Sequence, residues 1–315
     1  VDTCMPEATR AWNWDLRELA SGGQATPLPV SGRDGVQPRT GLRLDAVALG
    51  ADPIGFADQA IVSEMLSGVS DDTCLPRGTL LCAPHTSSLR DWAVAAERVG
   101  RNVAKGWAYE AALPCWPLRA CPYGVVDESE RAGEPKYRLT NDLSWPQPGM
   151  LPAGGGEFVA SHNASMDRAG WPPARMMRVR ELSEAAAVMR LSGAPVALWS
   201  VDCDSFYRVM GRQQAELWRC AMAVRGGFQI DERCCFGSAA DAAKCVRVSN
   251  FLVHHARRAI AAVDARCPSR DERVLAWQAA RRARADAAAD GAPPPDSLCA
   301  TGAYIDDCGG CSFAD

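Results

Sequence analysis

The sequence predicts a mixed α+β fold, antiparallel strands with helices set between them, and three observations carry that prediction. Two stretches read as hairpins: Tyr123–Val126 with residues 136–144, and the C-terminal run from Leu298 through Asp306-Asp307 into a return strand. One apolar run, Val196–Val201, has the length of a strand buried on both faces. Residues 179–191 and 239–263 instead repeat their apolar side chains at helical spacing.

Residues 1 to about 50 mix short apolar runs with Gly, Pro and Arg, and read as a loosely ordered lead-in. From Ile54 to about Ser70, the pattern Phe56, Ile61, Val62, Met65 and Leu66 fits a short amphipathic helix. Ser87 or Ser88 is the candidate N-cap of a second helix, which runs through Leu89, Trp92 and Val99 to Gly100. In the first hairpin, alternation sets Tyr137, Leu139 and Asn141 on one face and Lys136, Arg138 and Thr140 on the other. Two cations on one face suit a triphosphate, which arginine grips through a bidentate fork; they suit the solubility of an edge strand as well.

The Gly154-Gly155-Gly156 loop lacks the Lys-Ser/Thr pair and helix start of a phosphate-binding loop. Asn163-Ala164-Ser165 matches a glycosylation acceptor by spacing only, which an intracellular chain would not use. The apolar strand 196–201 ends in Asp202, followed by Phe206-Tyr207; an acid there is site-like, or it is a solvated strand end. Residues 216–224 and 227–235 read as two further strands. Phe236-Gly237-Ser238 then opens a long helix whose positive end, capped by Ser238, suits phosphate. His254 and His255 point to different faces of that helix and cannot share a metal. Residues 267–297 read as an insert, with a basic helix over about 271–289 before the Pro293–Pro295 breaker; its Arg281, Arg282 and Arg284 suit nucleic-acid contact or a solvated face. At the C-terminal tip Asp306 and Asp307 repel each other. That is tolerable if they are solvated, and useful if a divalent cation such as Mg²⁺ neutralises them, with Gly309-Gly310 helping the turn.

Composition narrows the field. The 315 residues are 47% hydrophobic, enough for a real core, and 34 Lys+Arg against 38 Asp+Glu argue against an unspecific polyanion binder. No apolar run reaches the roughly 18 residues of a membrane span, and the N-terminus has no signal-peptide pattern. The chain starts at Val1 rather than Met, which reads as a piece of a longer polypeptide. Fourteen Cys spread over so large a chain read as reduced, buried and intracellular, and the single C-x-x-C at Cys308 and Cys311 falls short of the four ligands zinc needs.

Four features in order carry a resemblance: Lys136-Tyr137-Arg138 with Asp142, Asp202 with Tyr207 five positions on, Phe236-Gly237 heading a long helix, and Tyr304-Ile305-Asp306-Asp307. Over roughly residues 121–315 the chain resembles the reverse transcriptase domain of retroelements, including retrotransposons. The resemblance implies a right-hand polymerase: a lead-in and helical segment over 1–120, fingers over 121–195, and a palm of antiparallel sheet and helices over 196–315. The 267–297 insert would interrupt that palm, and the thumb would be absent. Asp202 and Asp306 would hold two Mg²⁺ ions about 3.5–4 Å apart, or Mn²⁺ in their place, with Asp307 as a supporting metal ligand. Tyr207 would pack beneath the sugar and exclude a 2′-hydroxyl; Phe236 and Gly237 would shape the floor under the nucleotide; Lys136 and Arg138 would neutralise the phosphates. The implied partners are an RNA or DNA template with its primer, a dNTP, and the rest of a polyprotein with thumb and RNase H, in the cytoplasm or nucleus and with no membrane. The residues also admit a catalytically inactive or domesticated remnant that keeps the fold and binds nucleic acid; the intact acids and Tyr207 favour the enzyme.

Overall fold

A computed structural model describes residues 56–75, 80–111, 118–146, 160–172, 176–203, 205–224, 227–287, 299–304 and 307–314. The lead-in, the triple-glycine loop, the Pro293–Pro295 breaker, Ile305 and Asp306 lie outside the described residues. The elements begin with α1 (Gln59–Ser67), β1 (Leu80–Leu81), α2 (Thr86–Arg90), α3 (Trp92–Ala104), β2 (Ala108–Ala111), β3 (Arg119–Cys121), β4 (Tyr123–Asp127), α4 (Ser129–Ala132) and β5 (Tyr137–Asn141). They continue with α5 (Val179–Arg190), β6 (Val196–Asp202), β7 (Ala221–Val224), β8 (Gly227–Asp231), α6 (Ala239–Arg266), α7 (Glu272–Ala287), β9 (Cys299–Tyr304) and β10 (Asp307–Phe313). The fold is mixed α+β, as expected. Its described residues divide into two compact units, one of residues 63–171 and 207–242, the other of 56–62, 172–206 and 243–314. No described helix is long and apolar enough to cross a membrane.

In the first unit a five-stranded sheet runs in the order β1-β3-β7-β8-β2, with β1, β3 and β7 parallel and β7, β8 and β2 antiparallel. The period of two in β7 sends Ala221 and Ala223 into a core with Leu118, Phe228 and Ile230, and Met222 and Val224 into another with Ala95 and Val99 of α3. Burial on both faces explains why β7 reads as an unbroken apolar run. Inside β8, the buried Gln229 side chain donates to the Val99 carbonyl at 3.1 Å. The β4–β5 hairpin forms with Tyr123 opposite Asn141 and Val125 opposite Leu139, and its polar turn folds into the short α4, closed by Gly133 in the left-handed region.

One expectation for this unit changes. Residues 216–219, read as the start of a strand, belong to a tight 3-10 turn over Gln214–Arg219 that buries Leu217 and Trp218, with Arg219 paired to Glu216. Partners three apart meet on a helical turn and fall on opposite faces of a strand. The strand therefore starts only at Ala221. β1, β2 and β3, of two to four residues each, are too short to print a periodicity on the sequence.

The second unit holds an antiparallel sheet in the order β6-β10-β9. Met189 of α5, Val274 of α7, and Cys311 and Phe313 of β10 form its core with Ala194. Here the run 196–201 does form a strand, but not a buried one: β6 is an edge, with Leu198 68% and Val201 57% exposed. Gly309 and Gly310 sit inside β10, paired to Ser200 and Trp199 on one side and to Gly302 and Thr301 on the other, so they do not make the turn. The basic helix α7 packs into this unit. Asp271 accepts from the Arg273 N–H at its start, Trp277 meets Phe313 edge-on at 5.2 Å, and the Arg281 guanidinium stands 4.9 Å from the Trp277 ring centre.

Candidate functional site

The acids come from the second unit. β10 pairs with β6 in a register that sets Asp307 opposite Asp202, and with β9 so that Asp307 faces Tyr304; only residues 305 and 306 separate the paired strands. Directly opposite residues of an antiparallel pair have backbones about 5 Å apart. Asp202 and Asp307, distant in sequence, are thus cross-strand neighbours at the hairpin end, Asp202 is exposed, and Asp306 is next in the chain. Carboxylate oxygens are the donors a hard divalent cation selects. Among the described residues no three His, Cys, Asp or Glu converge as a metal site, and a third ligand here would come from Asp306, outside them.

The first unit carries the other expected residues. Phe236, 48% exposed, lies against the buried ring of Tyr207 with centroids 4.2 Å apart. Gly237 follows at φ +106°, and a Cβ there would stand 2.0 Å from the Asn141 carbonyl oxygen, so only glycine lets the turn close on the end of β5. That strand end is itself held. The Asn141 side chain donates to Asp231 at 3.3 Å, and Asp231 also takes Arg208, the neighbour of Tyr207, at 3.1 Å.

Arg138, on the exposed face of β5, is engaged by Glu128 at 2.8 Å. Lys136 is exposed just before the strand; its backbone N–H donates to Ser129 Oγ and its carbonyl accepts from Glu128 N–H. Asn163, from a one-turn 3-10 helix, ties several of these pieces together. Its Nδ2 donates to Gly237 O at 2.7 Å and to Ser144 Oγ at 2.9 Å, while its Oδ1 accepts from Ala239 N–H at 2.9 Å. Ser238 caps α6 as expected, accepting from Asp241 N–H at 3.2 Å. Asn163 and Ser238 thus occupy the Ala239 and Asp241 amides, two of the donors at the helix start where phosphate was expected.

Behind the Phe236-Gly237 turn lies a buried ionic network that no motif in the chain announces. The Arg212 guanidinium bonds both Asp71 and Asp241, and Asp71 also meets His162 Nε2 at 3.0 Å. Asp241 further accepts the Cys235 N–H at 2.7 Å, bracketing residues 236–238 from both sides. Burial would raise the Asp71 carboxyl, but Arg212 and His162 outweigh it and hold that acid well below the usual range. At Asp241 burial prevails against Arg212, with the Asp71 charge adding to it, and the acid is pushed up. Burial also pushes the Cys82 and Cys235 thiols to about 12, leaving them unreactive, and neither is part of a disulfide.

No family model and no curated protein matches the chain. Solved structures do. The foamy viral protease–reverse transcriptase in complex with double-stranded DNA is similar at TM-score 0.40 and 11% identity, over 78% of this chain and 29% of that one. The native prototype foamy virus protease–reverse transcriptase gives 0.37 and 10%, over 78% and 22%. The same viral protein in complex with an RNA/DNA hybrid gives 0.40 and 10%, over 78% and 22%. The chain spans less than a third of the length of these structures.

Proposed function

We propose that the chain is the RNA-directed DNA polymerase core of a retroelement, transferring a nucleotide from a dNTP to a primer 3′-hydroxyl with two Mg²⁺ ions. The observation that carries the reading is the β6–β10 register, which sets Asp202 opposite Asp307 beside Asp306. Like charges directly opposite on paired strands are destabilising, and a divalent cation removes that cost. Asp202 and Asp306 are assigned as direct ligands and Asp307 as the supporting acid. When bound, the cations would supply activation of the hydroxyl and neutralisation of the leaving phosphates.

The chain's own residues supply the rest. Tyr207 and Phe236 form an aromatic floor under the sugar and base, and Gly237 keeps it close to β5. Arg138 reaches phosphate by exchanging Glu128 for it, and Lys136 adds a second charge two residues away. That Arg138 already has a carboxylate partner is the observation that favours the second reading, a nucleic-acid-binding remnant without catalysis. Primer extension on an RNA template with Mg²⁺ separates the two. Incorporation that disappears in Asp306→Ala supports the polymerase, and template binding without incorporation leaves the remnant.

A further inference from the structure

We infer that Asn163 is a positioning residue for the incoming nucleotide: its side chain sets the height of the Phe236-Gly237 floor against the strand that carries Arg138. The inference rests on the polymerase reading for the identity of the ligand. The geometry is local to one unit. Asn163 commits both side-chain donors and an acceptor to this one place, with Nδ2 on Gly237 O and Ser144 Oγ and Oδ1 on Ala239 N–H. Ser144 lies three residues beyond the end of β5, and the Asn163 backbone N–H is bonded to the Leu143 carbonyl at 3.0 Å. The amide thus joins the exit of the Arg138 strand to both sides of the turn that follows Phe236.

The opposite side of the same turn is stopped by the Asn141 carbonyl. Gly237 is therefore held between a steric stop from residue 141 and a hydrogen-bonded pull from residue 163. Glycine at φ +106° has no side-chain packing to fix it, so an external bond must select one conformation of the turn. Phe236, half-exposed on Tyr207, moves with whatever its neighbour does. Freeing Gly237 O leaves the floor in several positions and weakens nucleotide binding more than it slows the chemical step.

Two variants distinguish positioning from mere capping of α6. Asn163→Ala loses all three bonds. Asn163→Asp keeps an acceptor for Ala239 N–H, which a carboxylate at a helix start serves well, but loses both donations and turns an oxygen toward Gly237 O. Asn163→Asp is expected to melt closer to wild type than Asn163→Ala does, yet to raise the KM for dTTP on an oligo(dT)–poly(rA) primer–template about tenfold, with kcat changed by less than about threefold. A wild-type KM in Asn163→Asp would overturn the proposal and leave Asn163 as a cap. The dissociation constant for dTTP, read by tryptophan fluorescence without catalysis, keeps the two levels apart. If wild type binds dTTP but incorporates none, and Asn163→Asp binds it about tenfold more weakly, the polymerase reading fails and the positioning role stands. If wild type incorporates and Asn163→Asp binds equally well, the positioning role alone fails; if wild type neither binds nor incorporates, both fail.

Discussion

Replacing Gly237 by alanine tests how tightly the turn presses on β5. The backbone there has φ +106°, a region L-residues rarely adopt, which costs about 1–2 kcal/mol once a Cβ is present. The new carbon would also lie 2.0 Å from the Asn141 carbonyl oxygen. That oxygen has little room to retreat: Asn141 is paired in register with Tyr123, and its side chain is bonded to Asp231. Forcing an extra carbon into a packed site costs about 1–3 kcal/mol, so Gly237→Ala is expected to destabilise by about 2–5 kcal/mol. This is below the roughly 5–15 kcal/mol of a typical fold, and at about 2–4 °C per kcal/mol the thermal midpoint should drop by about 4–20 °C. Gly100→Ala is the matched control: it lies in α3 with nothing within 4 Å of the added carbon, and should gain about 0.5–1 kcal/mol from helix propensity. The assay is a thermal melt of both variants alongside the KM for dNTP. A Gly237→Ala protein that melts with wild type and binds nucleotide normally would refute the close approach and its link to the nucleotide floor.

Arg212→Met leaves Asp71 and Asp241 buried without their shared cation and should cost about 3–5 kcal/mol at pH 7 by chemical denaturation. Asp71, held low in wild type, contributes stability above its unfolded value of about 3.9 and loses it as the pH falls. Without Arg212, burial raises both acids, and stability then falls as the pH rises, so the deficit against wild type should be largest at neutral pH and smaller near pH 4; a deficit independent of pH would contradict the network. Glu128→Gln removes the carboxylate that Arg138 must leave before meeting phosphate, and should lower the KM for dNTP by about 2–5-fold; an unchanged or raised KM in steady-state kinetics would take Arg138 out of phosphate binding.

Local pattern made some of this molecule legible and left the rest hidden. The Tyr137–Asn141 strand announced its faces because each residue's environment alternates with its neighbour's, and α6 announced its start through Ser238. The hairpin acids were readable for the same local reason, although the glycines after them belong to the paired strand rather than to the turn. What escaped depends on partners far apart in the chain. Asn163 reaches Gly237 across 74 residues and Arg212 reaches Asp71 across 141, and neither pair prints a spacing on the sequence. Asn163 invited notice only as a glycosylation spacing, since an asparagine that satisfies a turn looks like any other asparagine in a loop. The apolar run of β6 misled in the opposite direction. Composition reports that a strand forms, whereas its burial is decided by its edge position in a three-stranded sheet.

Asp202 and the hairpin acids are proposed to carry a metal-dependent nucleotidyl transfer together. The most direct test is single-nucleotide incorporation by rapid quench on an RNA-templated primer, with Mg²⁺, in wild type, Asp202→Asn and Asp306→Asn. Glu184→Gln, an exposed acid paired with Arg180 on α5, serves as the control. The account predicts that each aspartate variant loses at least about a thousandfold in rate while still binding primer–template, and that the control keeps the wild-type rate. Incorporation that survives in Asp202→Asn at near the wild-type rate would contradict it.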